Sequence, residues 1–206
     1  MTVVVAIKDG DVIIMASDSS CTRGDNEMSI REGNSKVWEV YIENLGSVLI
    51  GFGGNFATCQ SLRYSYIFPS MDKKYTTIQA YLSSCVQPSI MKFLQDRFLS
   101  AKHQESILSY HKENTYEWAL LFATKGQIFT LSPCGDVEET IENYAAIGDG
   151  AQCALSALST LRVLSLYTNQ VLTLRSDQKL EVACNAAEKW KNTVRGPFHY
   201  MSVGMV

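Results

Sequence analysis

Apolar residues come in short β-branched runs near the start of the chain and in helical spacing further along. Residues 3–7 and 11–17 are two such runs, parted by an Asp-Gly pair. Val and Ile suit a pleated strand, and Asp-Gly supplies the positive φ of a tight turn, so the pattern predicts a hairpin. Residues 18–35 are polar with interspersed glycine and read as a loop or irregular strand. A second strand pair is predicted at 36–42 and 47–51, around Glu-Asn-Leu-Gly. The segment GFGGN at 51–55 breaks the strand pattern and opens a helix over 54–67.

A longer helix is predicted over 76–99, where Ile78, Tyr81, Leu82, Cys85, Val86, Ile90, Phe93 and Leu94 recur at helical spacing. Thr76 or Thr77 caps it, and Pro88 inside it predicts a kink or a split. Residues 100–116 are polar and carry no clear period. Strands return at 117–123, 126–131 and 144–147. Helices follow at 150–166 and 178–192, and a last strand lies in FHYMSV. Antiparallel strand pairs with helices in two batches predict an α+β fold, with helix layers flanking sheet layers. No repeat or linker interrupts the chain, so residues 1–206 read as one domain.

With 206 residues, 46% of them hydrophobic, the chain has enough apolar surface for a sizeable core. A net charge of -3 leaves no basic excess for nucleic acid. The longest apolar runs are of strand length and too short to span a bilayer, and no signal peptide is visible at the N-terminus. Neither a nucleic-acid nor a membrane partner is expected. The six cysteines contain no Cys-x-x-Cys pair and read as reduced thiols of a cytoplasmic protein. His103, His111 and His199 are dispersed, and no metal or other cofactor is expected.

Four residues in order carry candidate chemistry: Thr2, Asp18, Lys36 and Gly51. A threonine freed of Met1 holds a nucleophilic hydroxyl and a basic α-amine in one residue. Threonine is among the small second residues that permit removal of Met1. A carboxylate at the end of the second strand can orient that residue. An ammonium opening the next strand can lower the hydroxyl pKa and stabilise developing negative charge. A glycine N–H can approach a reacting carbonyl closely. Singly, each has an ordinary explanation as a solvated strand-end charge or a turn glycine. GFGGN lacks the Lys-Ser/Thr and the glycine spacing of a phosphate-binding loop.

Together, Thr2, ASDSSCTRG, SKV, IGFGGNFATCQSL and AIGDGAQCALSAL resemble the N-terminal-nucleophile hydrolases of the proteasome β-subunit and HslV type. The resemblance implies a four-layer αββα sandwich with Thr2 at the mouth of the cleft between the sheets. It implies a threonine endopeptidase acting on unfolded polypeptide. Thr2 would be nucleophile and base, Lys36 would tune the hydroxyl, Asp18 would orient it, and the Gly51 N–H would form the oxyanion hole. Thr22 and Gly53 would pair with an extended substrate by backbone hydrogen bonds. Cys21, Trp38 and Leu49 would line an apolar pocket for the side chain before the cut, narrowed by Ile50. The resemblance also implies self-association into stacked rings and, more remotely, an ATP-dependent unfoldase as partner.

The chain departs from the family pattern at Asp149, where a serine that bonds the N-terminal amine is usual. A carboxylate there favours the charged amine and weakens it as a base. Asn192 and Arg195 fall near positions where proteasome subunits carry an aspartate and a serine. These departures keep open a second reading, a non-catalytic ring subunit or scaffold of the same fold with Met1 retained. Tyr64, Tyr66, Phe68 and Tyr81 read either as ring contacts or as core.

Overall fold

The computed structural model describes residues 2–22, 28–30, 35–99, 118–167 and 174–204. The polar stretch 100–116, with His103 and His111, lies outside the described residues.

The predicted hairpin is β1 (Val4–Asp9) and β2 (Val12–Ser17), joined through Gly10 at φ +58°. Two further strands complete this sheet, β10 (Tyr144–Ile147) and β11 (His199–Gly204), in the order β10-β1-β2-β11, all antiparallel. A five-stranded antiparallel sheet faces it, in the order β5-β6-β7-β8-β9. Its strands are β5 (Val37–Ile42), β6 (Gly46–Gly54), β7 (Trp118–Thr124), β8 (Gln127–Leu131) and β9 (Val137–Glu139). The irregular region after Asp18 contains a short pair, β3 (Ser20–Thr22) and β4 (Met28–Ile30).

Three cores separate four layers, so the αββα sandwich is present. The middle core lies between the sheets and includes Val4, Met15, Val37, Leu49, Leu121 and Ile147. The second covers the outer face of the five-stranded sheet with α1 (Phe56–Tyr64), α2 (Ile78–Tyr81) and α3 (Gln87–Leu99). The third packs α4 (Ala151–Tyr167) and α5 (Ser176–Trp190) on the four-stranded sheet through Val3, Val5, Ala154, Leu180 and Ala187. Among the described residues no helix is long and apolar enough to cross a membrane.

Two local differences from the sequence reading have physical causes. The GFGG segment continues β6 to Gly54 instead of breaking it. A Cβ on Gly51 would sit 2.6 Å from Val4 Cγ1, so the glycine lets the facing sheet approach without ending the strand. The helix over 78–99 is divided not at Pro88 itself but by a π turn at Leu82–Val86, two residues before it. Gln87 N–H bonds back to Leu82 O, one residue further than in an α-helix. That wider turn accommodates a proline ring and its missing N–H. Thr77, not Thr76, caps the helix, accepting from Ala80 N–H at 3.1 Å. Tyr81 is fully buried, Tyr66 and Phe68 pack against the outer core, and Tyr64 is exposed.

Candidate active site

Strand register brings the ends of β1 and β2 together. Val4 pairs with Ser17, so the residues just before β1 lie beside those just after β2. Asp18 N–H donates to Val3 O at 3.2 Å, which sets the Asp18 side chain next to Thr2. Thr2 Oγ1 donates to Asp18 Oδ1 at 2.5 Å, and Val3 N–H reaches the same oxygen at 3.0 Å. Lys36, one residue before β5, donates its ammonium to that oxygen at 2.6 Å. The other oxygen accepts Ser20 N–H at 3.2 Å and lies against the Ser20 hydroxyl.

Asp18 is fully buried and the Lys36 side chain is 7% exposed. Two charges taken out of water need close pairing and further hydrogen bonds to be tolerated. Here the carboxylate has a cation and four other donor groups around it. Both the hydroxyl and the ammonium meet at one oxygen, so Asp18 holds Thr2 Oγ1 beside a positive charge.

The turn after β10 encloses Thr2 from the other side. Ile147 pairs with Val4, and Gly150 N–H donates to Thr2 O at 3.1 Å. Gly148 has φ +91°, and a Cβ on it would lie 2.4 Å from Thr2 O and 2.6 Å from Thr2 Cγ2. A Cβ on Gly53 would lie 3.2 Å from the same methyl group. The Thr2 methyl therefore sits in a slot between Gly53 of β6 and Gly148 of the turn after β10.

The placement of Gly51 does not fit the oxyanion role expected of it. Phe52 N–H donates to Lys36 O at 2.9 Å, toward β5. Successive N–H groups of a strand point to opposite sides, so the Gly51 N–H points to β7, where Gly51 pairs with Leu121. Its missing side chain faces Val4 and Met15 in the middle core. Gly53 faces Thr2, and the next N–H on the β5 side belongs to Gly54. That residue is exposed and lies beyond Val37↔Gly51, the last register pair with β5.

The residues expected to line one pocket are also separated. Trp38 is buried in the outer core beneath the helices, whereas Leu49 is buried in the middle core. They lie on opposite faces of the same sheet and cannot share a pocket. Ile50 faces the helices with Trp38, its register partner. Cys21 is half-buried on β3, and the Thr22 backbone pairs with Met28.

Asp149 is exposed at the tip of the turn that encloses Thr2. Thr193 Oγ1 donates to one carboxylate oxygen at 2.6 Å and Lys191 Nζ to the other at 3.3 Å. The Thr193 hydroxyl first, then the Lys191 ammonium, hold the carboxyl below its usual range. Lys191 also offsets the negative charge that Asp149 would otherwise present to a nearby amine. Asn192 is exposed, and Arg195 donates to the carbonyls of Glu188, Lys191 and Val194, closing the C-terminal end of α5.

Sequence reasoning missed Ser20, Thr193 and the contact of Gly148 with Thr2. Ser20 and Gly148 stood inside quoted motifs with no role attached. Thr193 lies between the two positions weighed there, and only the fold turns it toward Asp149.

Cys59, Cys85, Cys134, Cys153 and Cys184 are thiols not joined in disulfides. Burial pushes the thiols of Cys59 and Cys184 up to about 12, while Cys134 is exposed. Thiolate, not thiol, is the reactive form. Iodoacetamide at pH 8 is expected to alkylate Cys134 well before Cys59 or Cys184, as peptide mapping would show. Equal labelling of all three would contradict their burial.

No family model matches the chain. The ATP-dependent protease subunit HslV of Caldicellulosiruptor saccharolyticus is 27% identical over 193 residues, covering 94% of this chain and 95% of that one. The structure of Thiobacillus denitrificans BPH in complex with epoxomicin superposes with a TM-score of 0.73 at 14% identity, over 100% of both chains. The helical assembly of the Anbu complex from Pseudomonas aeruginosa gives a TM-score of 0.62 at 15% identity, covering 98% of this chain and 81% of that one. The two structures share the fold; the HslV subunit adds a distant sequence relationship over nearly the whole chain.

Proposed function

Because this chain is of the proteasome β-subunit and HslV type of N-terminal-nucleophile hydrolase, by fold and by distant sequence relationship, we propose that it is a threonine-type peptidase subunit. The observation that carries this reading is the meeting of the Thr2 hydroxyl and the Lys36 ammonium at one oxygen of buried Asp18.

Removal of Met1 frees the Thr2 α-amine. An α-amine titrates near ~8, so a good fraction is unprotonated at neutral to mildly alkaline pH. The amine takes the Oγ1 proton, directly or through a water, as the oxygen attacks a peptide carbonyl. A C–O bond forms and the carbonyl electrons move onto its oxygen. The C–N bond then breaks, the leaving amine takes the proton back, and an ester on Thr2 remains for water to hydrolyse. Asp18 orients the hydroxyl, and Lys36 stabilises the charge that develops. The oxyanion role passes from Gly51 to the N–H of Gly54, beyond the last β5 partner. An extended substrate would add beside Gly53 and Thr22 by main-chain hydrogen bonds. No cofactor enters these steps.

The relatives' assemblies support self-association in stacked rings or a related array, where an ATP-dependent unfoldase would deliver extended polypeptide. A cytoplasmic setting agrees with the reduced thiols of Cys59, Cys134 and Cys184. The carboxylate of Asp149, where the family pattern has a serine, supports a second reading, a non-catalytic subunit of the same assembly with Met1 retained.

Intact mass before and after a peptide vinyl sulfone separates the two readings. Loss of Met1 with one adduct, absent in Thr2→Ala, is expected for the peptidase. The Thr2→Ala control is needed because exposed Cys134 is also open to electrophiles. A chain lacking Met1 that gains no Thr2-dependent adduct would remove the peptidase reading and leave the scaffold.

A further inference from the structure

The segment after α5 returns along the site, and its polar groups bond to Ser19 and Ser20 beyond Asp18 and to Asp149 in the turn that encloses Thr2. Arg195 O accepts Ser19 N–H at 3.0 Å, and Pro197 O accepts the Ser19 hydroxyl. Thr193 O lies 2.5 Å from Ser20 Oγ, and Thr193 Oγ1 donates to Asp149 Oδ2 at 2.6 Å. Val194, between them, is fully buried under the four-stranded sheet and anchors the segment.

Ser20 Oγ has one proton and two acceptors within reach, Asp18 Oδ2 and Thr193 O. Whichever accepts it, the other goes without. When the proton goes to Thr193, Asp18 keeps one donor fewer and becomes a stronger acceptor for Thr2 Oγ1. The position of the Thr193 carbonyl is in turn held by its hydroxyl on Asp149, which Lys191 also grips.

We propose that Thr193 is a positioning residue that couples the two carboxylates flanking Thr2, drawing the Ser20 proton from Asp18 with its carbonyl and fixing Asp149 with its hydroxyl. The proposal rests on the peptidase reading for its catalytic consequence, though not for the coupling itself. Asp149 is then part of a braced unit, in which Lys191 balances its charge and Thr193 aims it. Nothing in this role requires Thr193 to touch substrate.

The test uses the full chain, with loss of Met1 verified by mass, in the forms Thr193→Val, Thr193→Ser and Asp149→Ala. Thr193→Val keeps the shape and the carbonyl and removes only the hydroxyl. The rate of modification of Thr2 by a peptide vinyl sulfone is expected to fall about tenfold in Thr193→Val and Asp149→Ala, the scale of one lost hydrogen bond to a charged group. The saturation constant for the probe should be unchanged, and Thr193→Ser should recover to within about twofold. A merely structural role would lower the melting temperature without this split or this rescue.

The Thr2 γ-methyl resonance, read by NMR in the same proteins, gives an answer independent of reactivity. It should move in Thr193→Val and return in Thr193→Ser. Should the parent protein gain no adduct while the methyl resonance still responds, the peptidase reading falls and the coupling stands. An unmoved resonance, or a Thr193→Val protein modified as fast as the parent, overturns the proposal.

Discussion

Asp18→Asn is expected to destabilise the protein by about 3–5 kcal/mol, the cost of leaving one partner of a buried ion pair alone. The Lys36 ammonium, 7% exposed, would lose its carboxylate without gaining water. The amide also brings two N–H donors to a position already surrounded by donors from Val3, Ser20 and Thr2. For a chain of this size the melting temperature should drop by roughly 10 °C. Denaturant unfolding at neutral pH measures the loss directly. The double variant Asp18→Asn with Lys36→Met should regain most of it, because it removes the stranded charge. A single variant as stable as the parent, or a double variant no better than the single, would show that the pair is not buried as described. Neither form should carry an adduct on Thr2.

Gly148→Ala is expected to act twice. At φ +91° a side chain is strained, and its Cβ would lie 2.4 Å from Thr2 O. The strain and the contact together should cost at least about 2 kcal/mol. Relief requires Thr2 to shift, and a displacement near 1 Å at a reacting group lowers its rate by about a hundredfold. Gly10→Ala provides the contrast. Gly10 also has positive φ, but a Cβ there meets nothing within 4 Å. It should lose stability and keep the full rate of Thr2 modification. Equal rates in the two variants would mean that the Gly148 contact does not position the Thr2 hydroxyl.

Much of the fold was legible because local chemistry and layering agree. Asp-Gly between two β-branched runs gives the first hairpin, and Thr77 with the apolar spacing beyond it gives the long helix. The π turn was not legible, because proline marks a disturbance in a helix without specifying its form. The continuation of β6 through GFGG depends on how closely the facing sheet approaches, which only the packing of Val4 and Met15 decides. In the site, Thr2, Asp18 and Lys36 stood out because a hydroxyl, a carboxylate and a cation occur at strand ends in that order. The direction of the Gly51 N–H, toward β7, was not legible, since it depends on the parity of the strand register. Trp38 and Leu49 were grouped by position, although strand alternation sends them to different cores. Thr193 could not be found without knowing where the segment after α5 returns.

The slot between Gly53 and Gly148 bears on why the second residue is a threonine. A serine in the same backbone position would have three staggered settings for its hydroxyl, and Asp18 would have to select one from them. The γ-methyl of threonine, seated between the two glycines, already excludes the others. The oxygen then spends nearly all of its time aimed at Asp18, an advantage over serine of up to about threefold in the population ready to react. The two glycines thus act as a mould for a methyl group. They and the threonine are bound to change together: a larger residue at either glycine demands a smaller one at position 2, and the gain in orientation goes with it.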